Sequence, residues 1–139
     1  MAELFHYARI PIRKFVDIGS GHGYFLDAVG KYLPESKEMF FAVEKFPPPV
    51  AHRTHSNNYF IGDTADFSEK VDGGVCMEVI EHMEPRTVKN LFQSIACISN
   101  PGAIYIFNTG MPDYVRNEDP DYLDPTVRGH IGSYSVQAC

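Results

Sequence analysis

Apolar residues in this chain come in short runs set between polar stretches, and the period changes from one stretch to the next. Phe15–Ile18 is a four-residue run broken only by Asp17, the length and character of a buried parallel strand. From Tyr24 the spacing turns helical and continues to Leu33, where Pro34 stops it. Met39–Val43 reads as a second strand. The following Phe46-Pro47-Pro48-Pro49 can be neither central strand nor long helix, because proline lacks the amide donor and fixes φ. A brief helix is expected around Val50–His55, a third strand at Asn58–Ile61 and a fourth at Gly74–Met77. Pro85 opens a helix to about Ser99, with Val88, Leu91, Phe92, Ile95 and Ile98 on one face. Asn100-Pro101-Gly102 breaks it, and Ala103–Phe107 is the fifth strand. Strands alternating with helices imply an α/β fold with a parallel sheet and right-handed crossovers.

The chemistry-bearing residues fall at the carboxyl ends of those strands, where open α/β sheets bind ligands. Val16-Asp17-Ile18-Gly19-Ser20-Gly21-His22-Gly23 carries three glycines at alternate positions between a strand and a helix. Glycine accepts φ > 0 and lets backbone approach a ligand closely. A second acid, Glu44, ends the next strand. Dinucleotide folds use Gly-x-Gly-x-x-Gly with the pyrophosphate on the helix N-terminus. Here the sixth position is Tyr24, and Asp17 would face a phosphate with like charge. An acid suits a cationic ligand instead. S-adenosylmethionine has a sulfonium, an α-amine and no phosphate, so the motif favours it over NAD. A plain tight turn for the glycines, a helix cap for Asp17 and a solvated acid for Glu44 are the simpler alternatives.

Over roughly residues 14–110 the chain resembles the class I S-adenosylmethionine-dependent methyltransferases. The resemblance implies a Rossmann-like parallel sheet of strand order 3-2-1-4-5 with flanking helices. It implies that Asp17, Gly19, Ser20, Gly21 and Gly23 hold the methionine moiety and Glu44 the ribose. Asp63, in Ile61-Gly62-Asp63, matches the acid that sits by the adenine. Cys76-Met77-Glu78-Val79-Ile80-Glu81-His82-Met83 resembles the family's segment after strand four, which adds Met77 and Glu78 to the cofactor set. The family normally continues past strand five with a helix, which Ser135 is placed to cap, and two more strands. The chain is therefore expected to be a single cofactor-binding domain over 1–139, incomplete at both ends relative to the family.

Glu78, Glu81 and His82 share a helical turn and could form an oxygen-rich cation site. The segment also resembles the small-RNA 3′-terminal 2′-O-methyltransferases and the ubiquinone-pathway O-methyltransferases, some of which use a divalent metal there. His130 could supply a further ligand. Glu81 near a helix start is equally explained by the helix dipole, so no metal site is assigned from sequence. His82 is the candidate general base, since a near-neutral imidazole can take a hydroxyl proton.

Composition narrows the partners. A net charge of −6 argues against nonspecific nucleic-acid binding, without excluding a specific RNA. No apolar run approaches 18 residues, so no membrane span is expected. There is no signal-peptide pattern, and Cys76, Cys97 and Cys139 lack metal spacing; reduced thiols in a cytoplasmic protein are expected. The expected activity is methyl transfer to an oxygen or nitrogen of a small molecule, selected near Glu81–His82 and the Met111–Gly132 loop, which reads as a substrate lid. A cofactor-binding but inactive fragment and a metal-using RNA 2′-O-methyltransferase are the alternatives.

Overall fold

The computed structural model describes residues 2–137, leaving Cys139 outside the described residues. Five strands, β1 (Phe15–Ile18), β2 (Phe40–Glu44), β3 (Tyr59–Ile61), β4 (Val71–Met77) and β5 (Ser99–Asn108), form one sheet. All neighbours pair in parallel, in the order β3-β2-β1-β4-β5. This is the expected Rossmann-like order. The helices are α1 (Ala2–Tyr7), α2 (Tyr24–Tyr32), α3 (Pro85–Ile98) and α4 (Pro112–Asn117).

Alternation along the strands builds a core on each face of the sheet. Phe15, Phe40 and Ala42 pack with Leu4, Leu26 and Val29 of α1 and α2. Val16, Ile18 and Val43 pack on the other side with Val88, Leu91, Ile95 and Ile98 of α3. The same alternation sends Asp17 and Glu44 toward the α2 side at the strand tips.

The differences from expectation have local causes. β4 starts three residues early, because Asp72-Gly73-Gly74 reads as a turn but is strand. A Cβ on Gly73 would lie 2.6 Å from the Ile104 carbonyl oxygen, and one on Gly74 would lie 2.5 Å from that of Val16. The glycines thus permit close strand packing. Asp72 is buried but satisfied, accepting from the Arg13 and Lys14 amides and the Asn100 side chain. β5 likewise begins at Ser99 and runs through Asn100-Pro101-Gly102, with a register irregularity between Val71 and Gly73 absorbing the mismatch. Pro101 is tolerated because β5 is an edge strand. Pro34–Met39 forms a 3₁₀ turn, and the helix expected over Val50–His55 shortens to a 3₁₀ turn at Val50–His52. Among the described residues no helix is long and apolar enough to cross a membrane.

Candidate active site

The glycine loop adopts the backbone its composition allows. Gly19, Gly21 and Gly23 have φ of 73°, 56° and 78°, the left-handed region that other residues enter at a cost. Two of them are also boxed in, since a Cβ would lie 2.4 Å from Val79 at Gly19 and 2.4 Å from Thr54 at Gly23. At Gly21 a Cβ would meet nothing within 4 Å, so that backbone faces open space. Glu44 braces the loop. One of its oxygens accepts from the Gly21 amide and the other from Phe46, each at 2.7 Å. The Tyr59 hydroxyl donates to the Gly21 carbonyl at 2.5 Å. His22 stacks on Tyr24 outside the cleft, with rings 5.0 Å apart and nearly parallel.

Asp17 is 9% exposed, and its pKa is pushed up from 3.8 to about 6, chiefly by burial and then by the negative charge of Glu44. A buried carboxylate beside a second one is a site that a cationic group would relieve.

Two cavities flank the tip of β4. One, of 610 Å³, is lined by Gly19, Glu44, Lys45, Asp63, Val79 and His82 among others. At its far rim Asp63 accepts from the Ala65 amide at 3.0 Å and from the Lys45 ammonium at 2.8 Å. The lysine and its backbone contact hold Asp63 below the usual carboxylate range. The second cavity, of 620 Å³, is lined by Glu78, Asn108, Thr109, Tyr122, Arg128 and His130 among others. Arg128 is ion-paired to Asp119. Glu78, expected in the cofactor set, lines this second cavity and not the first; its φ of 55° makes it the only non-glycine residue with positive φ among the described residues. Met77, 42% exposed at the end of β4, lines neither cavity.

The turn after β4 meets the segment after α4. The Ile131 and Gly132 amides donate to the Glu81 carbonyl at 2.8 and 3.0 Å, and the Tyr134 hydroxyl donates to the Met83 carbonyl. The Met111–Gly132 stretch, read as an aperiodic lid, therefore contains α4 and returns to pack on the site. This docking puts His130 beside His82, with rings 4.8 Å apart. Glu81, His82 and His130 each offer a ligand atom within 4.8 Å of the other two. His82 Nδ1 lies 3.1 Å from the Gly129 carbonyl, and His130 Nδ1 lies 3.1 Å from that of Tyr122. Both Nε2 atoms are thereby left as lone-pair donors. Glu81 is 0% exposed, and neither of its carboxylate oxygens meets a donor at hydrogen-bonding geometry. Burial raises its pKa, and the neighbouring Glu78 carboxylate adds to the effect. Of the four cation candidates, the structure gathers three and leaves Glu78 next to them.

Sequence reasoning missed Lys45, Thr54 and Tyr59. The adjacency of Lys45 to Glu44 was a signal for the first; the other two are recognisable only once packing is known.

No family model matches the chain, and no curated protein matches it. Solved structures do. A small RNA methyltransferase matches with TM-score 0.67 and 23% identity, over 98% of this chain and 19% of that one. A SAM dependent methyltransferase from Archaeoglobus fulgidus gives TM-score 0.63 at 18% identity, over 98% and 62%. An O-methyltransferase from neocarzinostatin biosynthesis, solved with S-adenosylmethionine and 2-hydroxy-5-methyl naphthoic acid, gives 0.61 at 17%, over 87% and 39%. The chain spans less than two thirds of the length of each. At these identities the likeness establishes the fold, which is that of S-adenosylmethionine-dependent methyltransferases.

Proposed function

We propose that this chain transfers the methyl group of S-adenosylmethionine to a hydroxyl of its acceptor, with a divalent cation held by Glu81, His82 and His130 and with Glu78 beside them. The carrying observation is the fully buried Glu81 carboxyl, gathered with two imidazoles whose Nδ1 atoms face carbonyls and with the Glu78 carboxyl as its neighbour. A buried charge of this kind is costly unless something positive meets it. Mixed carboxylate and imidazole donors suit a divalent metal such as manganese, iron or zinc.

The cofactor's fit rests on separate features: open backbone at Gly21, a buried acid at Asp17, and Glu44 fixed at the strand tip. When bound, the sulfonium cofactor supplies an electrophilic methyl and the cation supplies Lewis acidity toward a nearby hydroxyl. Asp17 receives the cofactor's α-amine, and Glu44 has lone pairs left for the ribose hydroxyls. Gly19, Ser20, Gly21 and Gly23 form the wall against the methionine moiety, while Asp63 faces the adenine. Glu78, on the wall of the 620 Å³ cavity, faces the acceptor. In this reading His82 is a ligand and not the general base suggested by its sequence context, because its ring is fixed through Nδ1 on the Gly129 carbonyl and grouped with Glu81 and His130. The main contribution of the fold is alignment of the two reactants, which can be worth about 7–11 kcal/mol in favourable cases.

A small-molecule acceptor in the 620 Å³ cavity agrees with the net charge of −6. The second reading is an RNA 2′-hydroxyl, favoured by the cation cluster together with the likeness to a small RNA methyltransferase.

Calorimetry tests the two halves separately. S-adenosylhomocysteine should bind the wild-type chain; no binding refutes the cofactor assignment. Manganese should bind at least tenfold more tightly to wild type than to Glu81→Gln or His130→Ala, and equal affinities refute the cation assignment.

A further inference from the structure

The purine end of the cofactor cleft carries an ion pair that no sequence motif required. Lys45 Nζ lies 2.8 Å from Asp63 Oδ2, while Asp63 Oδ1 accepts from the Ala65 amide at 3.0 Å. The pair spans the tips of β2 and β3, on the lining of the 610 Å³ cleft. Lys45 also sits over the Phe46 ring, 5.7 Å from its centroid, and Phe46 is 82% exposed on the same rim. The ammonium is thus seated between an acid and an aromatic face.

We propose that Lys45 sets the base specificity of this cleft, making it accept a 6-oxopurine nearly as well as adenine. This rests on the S-adenosylmethionine reading above. An ionised carboxylate alone can only accept hydrogen bonds, so it matches the 6-amino group of adenine and repels a 6-oxo group. Each Asp63 oxygen already takes one bond, leaving limited accepting capacity. An ammonium has three donors, and the contact with Asp63 uses one. The rim therefore presents donors as well as an acceptor at the position where purines differ. Asp63 is pulled below and Lys45 pushed above its ordinary pKa by this contact, so both remain charged through the neutral range. The donor and acceptor character of the rim is accordingly fixed.

The two side chains are 55% and 40% exposed, so changing Lys45 leaves the core intact. The test is calorimetric binding of S-adenosylhomocysteine and its deaminated analogue, S-inosylhomocysteine, to the wild-type chain, Lys45→Met and Lys45→Arg. The expected wild-type preference for the adenosyl compound is below tenfold. Lys45→Met should raise that preference at least fivefold, and Lys45→Arg, which retains a cationic donor, should keep it within twofold of wild type. A wild-type preference of tenfold or more overturns the proposal. So does a Met variant that raises it less than fivefold, or an Arg variant that moves it more than twofold. Failure of S-adenosylhomocysteine itself to bind would instead refute the cofactor reading, a separate and distinguishable outcome.

Discussion

Replacing Asp17 by Asn should stabilise the ligand-free protein while crippling its binding site. Asp17 is buried at the tip of β1, near Glu44, and its pKa rises from 3.8 to about 6. At 1.36 kcal/mol per pKa unit, keeping that carboxylate ionised costs the folded state about 3 kcal/mol. The folded state binds the proton more tightly than the unfolded chain. The cost is therefore absent well below pH 4, grows as pH rises through the window between about 4 and 6, and is complete above it. At pH 5 protonation recovers about 1.4 kcal/mol of it. Asparagine keeps the shape without the charge. In urea melts at pH 7.5, Asp17→Asn should exceed wild type by up to about 3 kcal/mol, a rise in Tm of roughly 10 °C for a chain of this size. At pH 5.0 the gap should narrow by about 1.4 kcal/mol. The same variant should bind S-adenosylhomocysteine about 10–100-fold more weakly, the loss of one charge-assisted contact. An Asn variant no more stable than wild type at pH 7.5, or a gap that does not narrow on acidification, would refute the assignment of a strained buried charge.

Other sites give shorter tests. Gly23→Ala places a Cβ 2.4 Å from Thr54 at φ 78°, and should cost at least about 2 kcal/mol by the urea midpoint; a loss under about 0.5 kcal/mol would show that the loop relaxes freely. At Asp72 burial alone would raise the pKa, but the Asn100 side chain and the Arg13 and Lys14 amides outweigh it and the net direction is down. Its contribution is present at neutral pH and fades as pH falls below about 4. Asp72→Ala should thus lose about 1–3 kcal/mol at pH 7 and show a flatter acid limb in thermal melts, and an unchanged acid limb would contradict the role.

The strands β1 to β3 and helix α3 were legible because their apolar period is local and strong. The placing of Asp17, the glycine turn and Glu44 at neighbouring strand tips was legible because short apolar runs ending in an acid or a glycine turn mark strand ends locally. The starts of β4 and β5 were not, since Gly73-Gly74 and Asn100-Pro101-Gly102 are turn residues by local chemistry. Only the close approach of neighbouring strands, and the edge position of β5, makes them strand.

By itself, then, the sequence determined the layered α/β architecture and the row of acids along one end of the sheet, because periodicity and turn chemistry act over a few residues. Tertiary structure decided the partners. The return of the chain after α4, tied to the Glu81 carbonyl, brings His130 to Glu81 and His82, and the adjacency of the β2 and β3 tips brings Lys45 to Asp63. Such contacts depend on where distant backbone comes to rest, and no local pattern along the chain encodes that.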